Sequence, residues 1–112
     1  MSIPKHKRWE HKPYTRWVAT HSGKCAACSI QDNTISPHHL KHIYAGLSGG
    51  MGYKASDWLT TPLCHSCHTK LHGGDRWLIE YQPFMILSTL DIAFRDGIMV
   101  CTLPKIGEDL DD

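Results

Sequence analysis

The sequence predicts a small α+β domain that is stapled by zinc. A chain of 112 residues buries a smaller share of its surface than a domain of about 150 residues, so some stapling is expected. Two Cys-x-x-Cys pairs are predicted to bind a stabilising metal ion, because clustered cysteines in a reducing compartment favour a metal ion over disulfides. Helical and strand-like segments follow one another in a single unit without internal repeats, which indicates the α+β class.

Residues 1–24 are predicted to form a basic arm and a short helix. The helix is expected in "YTRWVATH", where Trp17 and Val18 are available for packing, and "SGK" supplies its stop. "CAACS" then has the form of a metal-binding knuckle. The following "NTISPHHLKHI" mixes β-branched residues with alternating polarity, which is typical of a strand, and Pro37 places that strand at an edge or a bend.

The second half of the chain is predicted to be mainly helical. The glycine-rich "YAGLSGGMGYK" is a loop, "HSCHTKLH" has helical spacing, and Gly73 with Gly74 stops that helix. "DRWLIEYQ" adds a turn or two, and "PFMILSTLDIAFRDG" has the form of a helix that starts at its proline and ends near Gly97. Residues 98–112 are predicted to be an extended return segment, with Cys101 as a buried free thiol, and an acidic tail. The core is expected to be built from Phe84, Met85, Leu87, Leu90, Ile92 and Phe94.

The formal net charge of +1 hides an uneven distribution of charge. Six basic residues precede Cys25 against one acidic residue, whereas the chain ends in the acidic "EDLDD". The basic arm also carries Trp9, Tyr14 and Trp17, so it could hold phosphates with its cations and stack its rings on bases. A solvated, lysine-rich terminus is the alternative.

Nothing in the sequence points to a membrane or to export. No window approaches the run of about 18 apolar residues that a membrane span requires. The N-terminus has no charged segment followed by an apolar stretch and a cleavage site. We therefore expect a soluble protein in a reducing cytoplasm.

Four cysteines are predicted to hold one structural zinc ion: Cys25, Cys28, Cys64 and Cys67. Two cysteines separated by two residues can both direct sulfur at one tetrahedral ion. The 35 residues between the two pairs exceed the roughly 15–20 of the simplest zinc ribbon, which indicates an inserted substructure. His65 or His68 in place of one sulfur is an open alternative.

Histidines predict a second, different metal site. His68 and His72 stand four residues apart in a predicted helix, which puts both imidazoles on one face. Such a pair is half of a site for a divalent cation, so a third ligand and a proton acceptor have to come from elsewhere. The adjacent His38 and His39 are the expected source, and His42 is a rival ligand.

The two predicted sites differ in what they can do. A zinc ion with four sulfurs is coordinatively closed, whereas a cation held by three histidines keeps positions open for water and a phosphate oxygen. Only the second kind of site can catalyse. In phosphodiester cleavage the cation neutralises charge on the phosphate, and a neutral histidine takes a proton from the attacking water.

The motifs "CAAC", "PHHLKH" and "PLCHSCHTKLH", in that order, resemble the HNH (ββα-metal) endonucleases, in which a β-hairpin and a helix grip one divalent cation. More narrowly, "HHL" followed by "GGMGYKASDWLTTPLC", "CH", "LH" and "GG" is similar to the phage recombination-enhancement nucleases of the RecA-dependent type. The resemblance covers roughly Cys25 to Ile92. It implies a ββα-metal core with flanking helices inside a zinc-knuckle nuclease domain at 25–97.

The resemblance also implies a role for individual residues. His39 matches the histidine that acts as general base. The middle Asn of the family, which orients that base, has its nearest counterpart in Asp57, seven residues before Cys64. Successive residues of a regular strand face opposite sides, so His38 and His39 can serve one site only at a bend or a strand edge. The four cysteines match structural zinc knuckles, and the ligands of the catalytic cation are matched by His38, His68 and His72.

We therefore expect a metal-dependent HNH endonuclease that hydrolyses phosphodiester bonds in DNA. It would be encoded by a phage or prophage, act in recombination or DNA processing in a bacterial cytoplasm, and meet a RecA-type recombinase filament. Its cofactors would be a structural Zn²⁺ and a catalytic Mg²⁺, Mn²⁺ or other divalent cation. The alternatives are a non-catalytic zinc-binding module for nucleic acid or protein, and a small metalloenzyme of another kind. DNA contacts, mainly to phosphates, are expected at Lys5, Lys7, Arg8, Arg16, Lys41 and Lys54.

Overall fold

The computed structural model describes residues 8–44, 47 and 54–103, and it has the predicted α+β class. Most of the glycine-rich loop and the whole acidic tail lie outside these residues. The described elements, in chain order, are helix α1 (Lys12–Thr20), strands β1 (Ser36–His39) and β2 (Thr60–Leu63), and helices α2 (His65–His72) and α3 (Arg76–Arg95).

The two strands form an antiparallel pair in which prolines face each other. Pro37 of β1 lies opposite Pro62 of β2. The Leu40 N–H donates to the Leu59 carbonyl. Alternation along the ladder therefore makes Pro37 and Pro62 a pair whose backbone groups point away from the partner strand, where a missing N–H costs no ladder bond. The carbonyl of Pro62 is therefore free for another segment, and it accepts a hydrogen bond from the Ala26 N–H at 2.8 Å. Every residue of β2 is buried, so this strand lies between the rest of the sheet and the knuckle segment.

Helix α2 begins directly after β2, and its ends match the sequence prediction. Cys64 caps the N-terminus, where its thiol accepts the Cys67 N–H at 3.4 Å. Gly73 ends the helix, and Gly74 follows with a φ of +98°, a conformation that glycine adopts without steric cost. Because α2 starts at the cysteine pair, anything that fixes those cysteines also fixes the position of the helix.

The prediction that a helix starts at Pro83 was wrong, because Pro83 lies inside helix α3. The helix begins seven residues earlier, at Arg76, with Asp75 accepting the Leu78 N–H at 3.0 Å. A proline inside a helix removes one backbone hydrogen bond and costs about 3 kcal/mol or more. Here the Ile79 carbonyl, which Pro83 leaves without its usual donor, accepts the side-chain amide of Gln82 at 2.9 Å. That bond offsets part of the cost and lets the helix continue.

The face of α3 that packs on the core differs from the face that the sequence predicted. Met85 is buried and Leu90 and Ile92 are half-buried, but Phe84, Leu87 and Phe94 are exposed, so the prediction was wrong for those three. Cys101 is also exposed rather than buried, because Met99 is the residue of the described segment 98–103 that packs on the core. The buried face of α3 consists instead of Leu78, Gln82, Met85, Ile86, Thr89 and Ala93.

Helix α1 lies against both strands, and its buried residues also contact the end of α3. Tyr14 and Val18 form a cluster with Ala93. The helix begins at Lys12, two residues before the predicted start, because Pro13 is accepted in the first turn and the His11 ring accepts the Tyr14 N–H at 3.2 Å. None of the helices in the described ranges is long and apolar enough to cross a membrane.

Replacing Leu71 of α2 with Ala should lower the free energy of unfolding by about 2–5 kcal/mol, because the change leaves a cavity beside the cysteines. Leu71 is 0% exposed. Leu87→Ala is the matched control, since it removes the same atoms from a side chain that is 62% exposed, and it should cost less than about 0.5 kcal/mol. Urea denaturation of both variants with zinc present measures the difference. Equal losses would contradict this packing.

Candidate functional site

The four predicted cysteines lie together and could hold a metal ion such as zinc. All four sulfur atoms lie within 4.8 Å of one another, and Cys28 Sγ is 3.7 Å from Cys64 Sγ. Zinc–sulfur bonds of about 2.3 Å in a tetrahedron separate the sulfurs by about 3.8 Å. The donor set and this spacing fit Zn²⁺, and the set is complete without His65 or His68.

Backbone hydrogen bonds hold the first cysteine pair against the second. The Cys25 N–H donates to the Ile30 carbonyl at 3.0 Å and the Ser29 N–H donates to the Cys25 carbonyl at 2.9 Å, which closes the knuckle into a tight turn. Ser29 has a φ of +64°, which allows the chain to reverse there. The bond from Ala26 to Pro62 then docks the turn on β2.

The thiols of this cluster do not ionise equally without a cation. Burial raises the pKa of Cys67 and of Cys64. Burial also opposes ionisation of Cys25, but backbone N–H groups, those of Cys64 and Cys28 among them, outweigh it and lower the pKa of Cys25 to about 7. Zinc binds thiolates, so a bound cation would stabilise the charged form that burial disfavours.

Three of the predicted histidines form a second cluster between β1 and α2. One ring nitrogen from each of His38, His68 and His72 lies within 4.8 Å of the others. The His38 ring stands nearly perpendicular to the other two, at 86° to His68 and 88° to His72. The predicted rival His42 is exposed, and its ring centroid is 6.3 Å from that of His72. The cluster therefore groups the three ligands that the sequence predicted and not the rival.

His38 is the buried member of this cluster and has a free ring nitrogen. It is 1% exposed, and burial lowers its pKa to about 4, so the imidazole is neutral near pH 7. Its Nε2 lies 2.8 Å from Oε1 of the buried Gln82. Its Nδ1 has no hydrogen-bond partner within the described part of the chain. An unpaired, buried lone pair next to two more imidazoles fits a metal ion.

The two histidines on α2 are also held in the neutral form that binds metals. Burial lowers the pKa of His68 and of His72, and nearby positive charge, that of Lys41 included, lowers both further. Ser36 Oγ of β1 lies 3.3 Å from His68 Nδ1, so the hydroxyl can hold that nitrogen while Nε2 remains available. Lys41 therefore places a positive charge near the cluster, which suits an anionic ligand.

His39 faces a carboxylate rather than the histidine cluster. Its Nε2 lies 2.8 Å from Asp57 Oδ1, and Asp57 is buried. Asp57 also accepts the Arg8 guanidinium at 3.0 Å and the His11 N–H at 2.6 Å. Burial opposes ionisation of Asp57, but its hydrogen bonds from His39, His11 and Arg8 outweigh burial and lower its pKa. Asp57 is thus a charged acceptor, and His39 donates to it.

The pKa of His39 is lowered by its burial, although the hydrogen bond and charge of Asp57 act in the opposite direction. The positive charges of Lys54 and Arg8 lower it further. A neutral His39 that donates from Nε2 carries its lone pair on Nδ1. The arrangement provides a proton acceptor with a defined orientation.

The predicted basic residues are distributed unevenly around these groups. Arg8 is bound to Asp57, to the Ala55 carbonyl at 3.0 Å and to Glu10 at 2.8 Å, so its charge is already paired. Arg16 and Lys54 are exposed and Lys41 is half-buried. Lys5 and Lys7 lie outside the described residues.

Two contributors to the site were missed by the sequence analysis. Arg8 was predicted to contact DNA, whereas its side chain holds Asp57 from the N-terminal segment. Gln82 was given no role, yet it contacts His38 directly. A signal for Gln82 was present in the sequence, since it stands at helical spacing from Leu78 and Met85 on the apolar face. No comparable signal exists for Arg8, because its contact joins residues 49 positions apart.

Replacing Cys67 with Ser should remove the tightly bound zinc, because one of four thiolates is lost and a hydroxyl binds zinc weakly. Metal analysis of the purified protein should give about one zinc per chain for the wild type and much less for the variant. Cys101→Ser is the matched control, since Cys101 is exposed and outside the cluster, and His68→Ala should also keep its zinc. Zinc loss in either control would show that the ligands are misassigned.

Comparison with known proteins gives one curated relative and one family. The chain is 46% identical over 72 residues to "Uncharacterized protein YdfU" of Escherichia coli strain K12, a match that covers 64% of this chain and 19% of that protein. The chain thus spans about a fifth of the length of this relative. No solved structure matches it significantly. A family model described as "Protein of unknown function (DUF968)" matches residues 1–97, and the chain therefore belongs to the DUF968 family.

Proposed function

We propose that this protein is a metal-dependent endonuclease of the HNH type that hydrolyses phosphodiester bonds in DNA. The observation that carries the proposal is the pair of adjacent histidines on β1. His38 contributes a buried, unpaired ring nitrogen to a three-histidine cluster. His39 is held by the buried carboxylate of Asp57. A candidate cation site and an oriented base thus come from neighbouring residues.

The order of the elements is a second line of support. An antiparallel strand pair is followed at once by a helix over the range 36–72, which is the order that the ββα-metal resemblance implies. The first strand carries His38 and His39, and the helix carries His68 and His72. The cysteine cluster at the start of that helix corresponds to the zinc knuckle of the resemblance.

In the proposed reaction a water oxygen attacks phosphorus, the bond from phosphorus to the 3′ oxygen breaks, and His39 accepts the proton of the water at Nδ1. Asp57 keeps His39 in the tautomer that leaves Nδ1 unprotonated and stabilises the imidazolium that forms. Arg8 and the His11 N–H hold Asp57 in turn. A divalent cation bound by His38, His68 and His72 would neutralise charge on the phosphate and on the leaving oxygen.

Positive charge around the histidines favours a polyanionic substrate. Lys41 acts on the pKa of His68 and His72, and Lys54 acts on the pKa of His39. Both lysines are available for phosphates, whereas Arg8 is engaged with Asp57. Contacts of this kind give little sequence specificity. Targeting by a RecA-type filament, a role in recombination and a phage or prophage origin rest on the resemblance and belong to the proposal.

His39→Ala should lower the rate of DNA cleavage by about 10²- to 10⁴-fold, because the general base is lost, while zinc content stays unchanged. The assay uses plasmid and single-stranded DNA with Mg²⁺ or Mn²⁺, with and without a recombinase filament. His65→Ala is the matched control, since His65 is exposed on α2 and belongs to neither cluster, and it should cleave at the wild-type rate. If the wild type leaves DNA intact under every condition, the non-catalytic zinc module becomes the better account.

Lys54→Ala should weaken DNA binding and reduce the salt dependence of binding, because one phosphate contact is lost. For duplex DNA the slope of log K against log salt should fall in magnitude by about 0.9. Fluorescence anisotropy in the His39→Ala background, which avoids cleavage, measures the slope. Arg95→Ala is the control, since Arg95 lies at the end of α3 and is paired with Asp91 at 3.0 Å. Equal slopes for Lys54→Ala and its parent would contradict the phosphate contact.

A further inference from the structure

Gln82 is the buried polar residue of α3 that contacts the histidine cluster. It is 0% exposed, and all of its hydrogen-bonding capacity is used. Its Nε2 donates to the carbonyls of Lys41 at 2.7 Å and of Ile79 at 2.9 Å. Its Oε1 accepts the Lys41 N–H at 2.9 Å and lies 2.8 Å from His38 Nε2. An amide offers two donors and two acceptor positions, so none is left over.

The contacts with Lys41 determine which way the amide points. The Lys41 N–H can only donate and its carbonyl can only accept, so Oε1 and Nε2 of Gln82 cannot exchange places. Oε1 therefore faces His38. Because a carbonyl oxygen only accepts, His38 has to carry its proton on Nε2, and its lone pair has to be on Nδ1.

We propose that Gln82 is a positioning residue of the histidine site, which holds His38 in the Nε2–H tautomer and leaves Nδ1 as its ligand atom. A hydrogen bond to the far nitrogen of a metal-binding imidazole fixes its tautomer and ring orientation. Nδ1 of His38 is buried and unpaired among the described residues, as a ligand atom prepared for a cation would be. The inference deepens the proposed function and rests on its assignment of a cation to this cluster.

Pro83 makes this arrangement possible. In an ordinary helix the N–H of residue 83 would donate to the Ile79 carbonyl, and the Gln82 side chain would compete with it. A proline has no N–H, so the carbonyl is free and accepts Gln82 instead. The dipeptide Gln82–Pro83 thus saturates the second amide hydrogen and stops the side chain from turning toward another acceptor.

Gln82 also anchors the end of β1 to α3. Its two bonds to the Lys41 backbone fix the chain two residues after His39. Immediately beyond, His42 has a φ of +69° and the chain turns away. The amide therefore holds both the ring of His38 and the strand end from which His38 and His39 project.

The experiment is nitrogen NMR of the His38 ring together with Mn²⁺ binding, both on the full-length chain with its zinc bound. The ring nitrogens of His38 should show Nε2 protonated and Nδ1 unprotonated in the wild type, without Mn²⁺ and without DNA. Gln82→Met, which keeps the length of the side chain, should give a mixture of tautomers. It should also weaken Mn²⁺ binding by about 10- to 100-fold, measured by the EPR signal of free Mn²⁺.

Thr89→Val is the matched control. Thr89 is buried on the same face of α3 and bonds to the Met85 carbonyl and to Thr61 Oγ1, so its replacement also removes buried hydrogen bonds from this helix. Thr89 makes no hydrogen bond with His38, so Thr89→Val should leave the tautomer and the Mn²⁺ affinity unchanged. Zinc content and urea unfolding are measured for both variants. They show whether a change in tautomer or in Mn²⁺ affinity comes only from loss of the fold.

The outcomes separate this inference from the nuclease proposal. A protonated Nδ1 in the wild type overturns the role of Gln82 without any variant, and so does a Gln82→Met protein with the wild-type tautomer and affinity. Equal losses of affinity in Thr89→Val and Gln82→Met reduce Gln82 to a structural residue. If wild-type protein cleaves no DNA, but Gln82→Met alone loses the single tautomer and the Mn²⁺ affinity, the nuclease proposal fails and the inference stands.

Discussion

The convergence of four cysteines is the constraint on which the rest of this small fold depends. It joins the knuckle at Cys25 and Cys28 to the first turn of α2, which immediately follows the buried strand β2. A two-stranded sheet of four-residue strands is marginal by itself. A zinc ion at this point would close the loop of 35 residues between the pairs and fix the start of α2, on which two of the three clustered histidines lie.

The placement of β1 then decides which chemistry the histidines can do. Alternation along the strand sends His38 toward α2 and α3, and His39 toward Asp57. The two residues therefore meet different partners: an amide that accepts from His38, and a carboxylate that accepts from His39. In each case a buried oxygen accepts a hydrogen bond from Nε2–H, so the lone pair is on Nδ1. The opposite facing of adjacent strand residues was expected to be an obstacle, whereas in the proposed site it separates the ligand from the base.

Local patterns predicted much of this structure. The spacing of the cysteines and the His68–His72 pair identified both clusters, and the double glycine identified the end of α2. The start of α3 was mispredicted because a proline usually marks the first turn of a helix. Here Pro83 lies inside the helix, where the side chain of Gln82 bonds the Ile79 carbonyl that Pro83 leaves without a donor. Phe84, Leu87 and Phe94 were assigned to the core because they are apolar, although the helix exposes all three. Arg8 could not be assigned, because its contact with Asp57 depends on how the N-terminal segment folds back over the chain.

The central claim is that the protein binds two metals of different kind and that only the histidine-bound one is open to substrate. Anomalous X-ray scattering from crystals of the zinc-loaded protein soaked with Mn²⁺ tests it most directly. The account predicts a zinc peak among the four sulfurs and a separate manganese peak among His38, His68 and His72, with His38 coordinating through Nδ1. A single peak at the cysteines at Mn²⁺ concentrations that saturate binding in solution, or manganese bound elsewhere, would contradict it.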